Sequence, residues 1–249
     1  MNALVSATDA LLDLVLPVHC VGCHAPMGGE RGVACGRCLS RLARLPAPHC
    51  GRCGHPIDHR DSACRYCVLF PNIVERVRSY CWAPDPIASP LLAALKYADW
   101  PRAGEALGKV MLRADGSGAL RRDLAAVVPV PLDPVRQRER GYNQARVLAQ
   151  VVATAWGVPL RDDLLTRVRH TVTQTRLTPQ DRLANVSGAF AVTAGAQAFV
   201  RGRPLLLIDD VLTTGATLNA CAQALAEAGA AGVRYLTFAR ARDASRRPL

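Results

Sequence analysis

Four apolar residues, two carboxylates and a Thr/Gly loop, running from Leu205 to Thr217, leave few folds open to this chain. The run Leu205-Leu206-Leu207-Ile208 predicts a strand covered on both faces, as in a parallel sheet. Asp209 and Asp210 stand where that strand is expected to end. After the loop Thr213-Thr214-Gly215-Ala216-Thr217, the residues Leu218, Cys221, Ala222 and Leu225 recur at helical spacing and predict a helix with one buried face. In open α/β sheets, ligands bind outside the carboxyl ends of strands. A loop at that place offers an anion its backbone N–H groups, its Thr hydroxyls and the positive end of the helix. Paired carboxylates beside such a cradle suit vicinal hydroxyls next to a phosphate. A ribose 5-phosphate carries both.

Eight of the ten cysteines form four knuckles: Cys20-x-x-Cys23, Cys35-x-x-Cys38, Cys50-x-x-Cys53 and Cys64-x-x-Cys67. The gaps between them are eleven, eleven and ten residues, so the spacing is nearly regular. Two thiolate pairs complete one tetrahedral site, and eight thiolates predict two structural Zn2+ ions. Regular spacing allows either sequential or interleaved pairing of the knuckles. A redox motif needs one such pair, not four. Disulfides would suit an exported chain, whereas the rest of this one reads as a cytoplasmic α/β protein that keeps its thiols reduced. The nearby His19, His24, His49, His55 and His59 are not needed as ligands. Cys81 and Cys221 lie outside the pattern and read as buried thiols.

Two parts are expected: residues 1–72 as an N-terminal helix with the metal module, and residues 73–249 as the α/β domain. The module is poor in large apolar side chains, so metal binding must supply much of its folding free energy. The apolar stretch Leu4 to Val18 carries Asp9 and Asp13 and lacks a basic flank, which argues against an export signal. No run is long enough to insert in a membrane. The net charge of +11 is almost all arginine, with Lys96 and Lys109 the only lysines. Such a balance favours phosphate-rich ligands or nucleic acid.

Between module and loop, Phe70-Pro71-Asn72 reads as a linker and Val74 to Trp82 as an edge strand. Ser89-Pro90 then reads as the opening of a helix that ends at Lys96 and Tyr97. Leu124 to Val130 predicts a strand terminating in Pro129-Val130-Pro131. Arg136, Arg138 and Arg140 follow, then a helix through Leu148, Val151, Val152 and Ala155 that stops at Gly157. A short strand near Leu164–Val168, a polar run from His170 to Asn185 and a last strand from Val233 to Phe238 complete the pattern. Strands alternating with helices predict a mostly parallel sheet.

The segment with two acids and T-T-G-x-T resembles the phosphoribosyl pyrophosphate (PRPP) signature of type I phosphoribosyltransferases. Further motifs extend the likeness over nearly the whole chain. They are the four knuckles, Leu95-Lys96-Tyr97, Val128-Pro129-Val130-Pro131-Leu132, Arg140-Gly141-Tyr142-Asn143-Gln144, Gln174-Thr175 with Leu177, Arg182 with Asn185, and Gly188-Ala189-Phe190. In this order they resemble the ComF family of ComFC- and GntX-like proteins. The resemblance implies a double zinc ribbon joined to a type I phosphoribosyltransferase fold.

It also implies roles. Asp209 and Asp210 would hold the ribose 2- and 3-hydroxyls, directly or through Mg2+, and Thr213, Thr214, Gly215, Ala216 and Thr217 would wrap the 5-phosphate. The turn at Pro131 falls at the pyrophosphate loop, and X-Pro bonds tolerate cis far better than others, so Val130–Pro131 is a candidate for one. Of Arg136, Arg138 and Arg140, one or two would face the leaving pyrophosphate, with Arg140 in the family motif. Gln174, Arg182 and Asn185 would belong to a lid. Lys96 suits either a phosphate contact or the negative end of its helix. The implied reaction is displacement at the anomeric carbon, with Asp209, Asp210 and Lys96 as catalytic candidates and a nucleophile brought by the acceptor. No Ser/His/Asp or Cys/His arrangement supplies one. A non-catalytic alternative keeps PRPP, or another ribose 5-phosphate nucleotide, as an effector. In it the arginine-rich ribbons engage single-stranded DNA or competence proteins during DNA uptake.

Overall fold

The computed structural model describes residues 19–27, 32–58, 64–97, 101–169 and 188–242. At its centre lies a four-stranded, all-parallel sheet. The strand order is β1 (Val74–Ala83), β6 (Gly232–Ala241), β5 (Pro204–Leu212) and β2 (Ala126–Pro129). On β5 the side chains alternate between two apolar clusters. Leu206 and Ile208 belong to one and Leu205 and Leu207 to the other. Both faces are covered, which is why the strand reads as an unbroken apolar run.

Helices α2 (Ala88–Tyr97), α3 (Pro101–Met111) and α5 (Gln144–Trp156) cover the first face, and α7 (Ala216–Glu227) covers the second. Among the described residues three short helices are also present: α1 (Gly36–Arg41), α4 (Pro134–Arg140) and α6 (Gln197–Val200). A separate antiparallel pair, β3 (Leu165–Arg167) with β4 (Phe190–Val192), stands apart from the main sheet. Among the described residues no helix is long and apolar enough to cross a membrane.

The two ribbons are copies of one motif. Cys20 and Cys50 accept through their carbonyls from the amides of His24 (2.8 Å) and Gly54 (3.0 Å), both in the left-handed region. The bridge between His19 and Pro26 recurs between His49 and Pro56. Their surroundings differ. Cys20, Met27, Val33 and Cys38 of the first ribbon join the cluster beneath α2, while Cys50, Cys53 and Phe70 of the second join the cluster beneath α7.

Several local expectations need correction. The helix expected to open at Ser89 begins at Ala88 and is capped by Asp85, whose Oδ1 accepts from the amides of Ile87 and Ala88, both at 2.9 Å. Ser89 instead accepts from the Asp85 amide at 3.1 Å, which makes a reciprocal capping pair. Phe70–Asn72 is no free linker, since Phe70 is buried and the carbonyls of Phe70 and Pro71 are held by Arg52. Helices α3 and α4 are additions to the sequence pattern. Among the described residues the cis peptide bonds are Ala47–Pro48 and Ala83–Pro84, so Val130–Pro131 is trans. Gln174, Arg182 and Asn185, with the rest of the polar run from 170 to 187, lie outside the described residues.

Candidate functional site

Strand β5 runs past the end of β2. Pro129 pairs with Ile208, whereas Asp209, Val211 and Leu212 pair only with β6. The two acids therefore stand inside the strand, just beyond the edge of its neighbour, and not at its terminus as expected. That step opens a cleft lined by Lys96, Pro131, Arg140, Asp209, Asp210, Thr213 and Thr217. Seven candidates read from the sequence thus converge on one cavity. Thr214, Gly215 and Ala216 complete the loop. Gly215 takes a left-handed conformation (φ 81°) as the N-cap of α7, a geometry that favours glycine. The amide of Ala216 points back to Thr214 Oγ1 at 3.4 Å.

The acids are not equivalent. Asp210 Oδ2 lies 2.7 Å from Lys96 Nζ at the end of α2, a partner that neither expectation for Lys96 supplied. The contact is an ion pair rather than a well-directed hydrogen bond. Asp209 is pushed up to about 8, first by burial and then by the neighbouring Asp210 charge, with Lys96 only partly offsetting them. Its Oδ1 accepts from the Asp210 amide at 2.9 Å. Two adjacent, largely buried carboxyl groups with a single lysine beside them lack full charge compensation, an arrangement that suits a site receiving a cation or sugar hydroxyls.

The opposite wall is built by the turn after β2. Asn143 caps α5, accepting from the Ala145 amide at 3.0 Å, and donates to the Val130 carbonyl at 3.0 Å, which pins the turn to the helix. Asp133 caps α4 through the Val135 amide at 3.0 Å. Arg136 and Arg140 line the cleft and Arg138 does not. Arg140 donates to Gln144 Oε1 at 3.1 Å. That bond fixes the orientation of the Gln144 amide, and its Nε2 is buried with no partner among the described residues. Arg167, 3.6 Å from Asp133, is a cleft residue that sequence reasoning missed, and Gln144, named there only within a family motif, also lines the cleft.

The cysteines assemble sequentially. Cys20, Cys23, Cys35 and Cys38 form one set, and Cys50, Cys53, Cys64 and Cys67 the other, with all sulfurs of a set within 4.8 Å. A tetrahedral ion with Zn–S bonds of about 2.3 Å places its sulfurs about 3.8 Å apart. The sulfurs of Cys23 and Cys35 lie 3.8 Å apart, those of Cys50 and Cys67 3.5 Å, and those of Cys53 and Cys64 3.4 Å. The thiols fit two four-cysteine zinc sites, and interleaved pairing is excluded.

Residues 11–68 match the double zinc ribbon domain, and residues 116–248 match the phosphoribosyl transferase domain. Competence protein F of Haemophilus influenzae is 28% identical over 226 residues, covering 90% of this chain and 97% of that protein. The DNA utilization protein YhgH of Escherichia coli is 31% identical over 235 residues, covering 91% and 99%. Competence protein ComFC of Bacillus subtilis is 28% identical over 222 residues, 83% of each chain. Likeness from end to end, with a pair of ribbons ahead of an acid-and-threonine loop, makes the chain a member of the ComF family.

Proposed function

We propose that this cleft binds PRPP with Mg2+ and that the chain transfers or handles its phosphoribosyl group in the service of DNA uptake or utilisation. One observation carries the reading: Asp209 and Asp210 share a single strand–loop–helix with the Thr213–Thr217 cradle, and both line one cavity. An acid pair for vicinal hydroxyls and a cradle for a phosphate are then one sugar apart. In this reading Thr213, Thr214, Gly215, Ala216 and Thr217 enclose the 5-phosphate, and the carboxyl groups of Asp209 and Asp210 hydrogen-bond the ribose hydroxyls, Asp209 giving up its proton where a cation is held beside it. The same oxygens suit Mg2+, a hard cation that prefers carboxylate and phosphate ligands. When bound, the ion offsets the pyrophosphate charge and eases its departure. Arg136, Arg140 and Gln144, gathered around the Pro131 turn, line the pyrophosphate side. Lys96 supplies the counter-ion of Asp210. The nucleophile comes with the acceptor.

A second reading keeps PRPP as an effector of a DNA-binding protein that does not turn it over. It is favoured by the cleft lining, whose only bases among the described residues are carboxylates, and by relatives named for competence and DNA utilization. In both readings residues 1–72 serve as the ribbon module and residues 73–249 as the ligand domain, in the cytoplasm, where thiolates stay available to zinc. A pyrophosphate-release assay across nucleobases, with and without single-stranded DNA, separates them. Release with one base establishes transfer. PRPP binding without release, together with salt-sensitive binding of an oligonucleotide, establishes the second. No PRPP binding at all overturns both.

A further inference from the structure

Three residues after the zinc ligand Cys67 the chain reaches Phe70, whose ring is buried. A Cβ built on Gly215 would lie 3.4 Å from Phe70 Cε1 and 3.6 Å from Asn219 Nδ2, so the left-handed turn of the anion loop rests against this ring. The same ring meets Tyr235 edge-on, with centroids 6.1 Å apart. The Tyr235 hydroxyl lies 3.1 Å from both the Leu218 carbonyl and Asn219 Oδ1, in the first turn of α7. Asn219 in turn donates through Nδ2 to the Leu69 carbonyl at 2.7 Å. The loop is thus fastened to residues two and three positions beyond a metal ligand.

The segment is fastened to the ribbon as firmly. Arg52, between the ligands Cys50 and Cys53, donates to the carbonyls of Cys67 (3.2 Å), Phe70 (3.2 Å), Pro71 (2.7 Å) and Val74 (3.0 Å). One guanidinium orders the chain from the last ligand into β1. Four thiolates on a divalent ion leave a net negative centre, so a cation beside it is favoured while the metal is held. Among the described residues the first ribbon has no such route. A Cβ on its Gly22 would meet Cys38 and, at 3.7 Å, Ile87, which places that ribbon against the α2 side of the molecule.

We propose that the second zinc ribbon is a positioning element of the anion loop. Phe70 and the Leu69 carbonyl transmit the order imposed by zinc at Cys50, Cys53, Cys64 and Cys67 to Gly215 and Asn219. Zinc in this ribbon and an anionic ligand at Thr213–Thr217 therefore bind with positive linkage, and the first ribbon's ion does not take part. The ligand half of this statement rests on the PRPP reading above; the mechanical half does not. Linkage is reciprocal, so a ligand held more tightly because zinc is present must also hold that zinc more tightly.

The test uses the full zinc-loaded chain and the variants Phe70→Ala, Phe70→Leu and Asn219→Ala. Amide hydrogen exchange without ligand is read first. Phe70→Ala is expected to speed exchange across residues 213–219 while β5 and β6 stay protected and both zincs are retained, and Phe70→Leu is expected to restore the native rate. Titration with PRPP and Mg2+ follows, with an expected loss of affinity of about tenfold for Phe70→Ala and much less for Phe70→Leu. Transfer of zinc to a chromogenic chelator is then timed. PRPP should slow the release of one of the two ions in the native chain and of neither in Phe70→Ala. If the native chain ignores PRPP, the PRPP reading fails and hydrogen exchange alone decides the mechanical coupling. Unchanged exchange in both Phe70→Ala and Asn219→Ala overturns the proposal, as does exchange that rises evenly over the whole molecule. Should Phe70→Ala lose its zinc, the decision passes to Asn219→Ala, which removes the hydrogen bonds to the Leu69 carbonyl and from the Tyr235 hydroxyl while leaving the Phe70 ring in place.

Discussion

Nζ of Lys96 stands 2.7 Å from Oδ2 of Asp210, tying the end of α2 to the stretch of β5 that β2 leaves uncovered. Each side chain keeps some exposure, 29% and 15%, so the pair faces the cleft and is not sealed in the core. Asp210 has its counter-ion. Asp209 lies beside two charges of opposite sign and is dominated by burial and by its acidic neighbour.

The first prediction follows from that imbalance. Asp209 is raised to about 8 in the folded chain and titrates near about 4 when unfolded. Between those values the folded state holds a proton that the unfolded state has lost, so this carboxyl makes stability fall as pH rises. Above about 8 its contribution is fully lost and the slope ends. Asp209→Asn removes that slope. Urea unfolding from pH 5 to 9 should show the native chain losing stability relative to the variant as pH rises, the gap widening up to about pH 8 and staying constant above it. Parallel profiles for the two proteins would sink the assignment.

Gln144 should separate ligand binding from stability. Its Nε2 is buried with no partner among the described residues, an arrangement that costs about 1–3 kcal/mol. Gln144→Met is expected to leave the melting temperature unchanged or raised. The same change should weaken PRPP binding roughly tenfold or more, the range for a hydrogen bond to a charged group. Calorimetric titration beside thermal melting checks both. A variant that melts lower and binds normally would mean the amide serves the fold.

Sequential metal sites make a combinatorial prediction. The native chain should carry two zincs by elemental analysis. Cys23→Ser with Cys35→Ser, both in one set, should leave one. Cys23→Ser with Cys64→Ser should leave close to none. Equal loss in the two double variants would contradict the pairing.

Helix packing supplies a prediction whose sign opposes the usual rule. Glycine to alanine inside a helix ordinarily stabilises by about 0.5–1 kcal/mol. At Gly104 the new Cβ would fall 2.3 Å from Val147 Cγ1, and at Gly108 it would fall 2.7 Å from Val151 Cβ, because α3 crosses α5 there. Gly104→Ala should therefore destabilise by about 1–3 kcal/mol through overpacking, read as a lower urea midpoint at unchanged slope. A raised midpoint would show that the helices separate freely.

Features that depend on neighbours in the chain are legible in the sequence. The knuckles, the apolar half of β5, the anion loop and the periodic faces of α5 and α7 all rest on short-range spacing. Helix α4 also carries a local signal, easily overlooked in so short an element: Asp133 before Pro134 is an N-cap followed by a proline at the first helical position. Helix α3 is obscured because Gly104 and Gly108 look like breakers until a partner helix needs the room. The arginines are visible as charge and invisible as structure. Arg78 and Arg240 are buried, and with Arg52 and Arg76 they donate to backbone carbonyls of the second ribbon or its exit. Only the fold reveals that demand for donors. Arg167 and Gln144 reach the cleft from separate elements, and no spacing rule brings them together.

The pairing of β1 with β6 carries a consequence for how the molecule is made. The first strand of the sheet to leave the ribosome has one neighbour among the described residues, and that neighbour is the last strand of the sheet in chain order. Until it arrives, Val77 and Tyr80 lack part of their cover, and the ribbons above them lack Tyr235 and Phe238. Zinc can therefore be captured early, by short loops, whereas the platform beneath each ion closes only after β6 has been made. A nascent or truncated chain ending before Gly232 would hold its metal on an unfinished sheet, presenting an apolar strand edge of the kind that recruits chaperones.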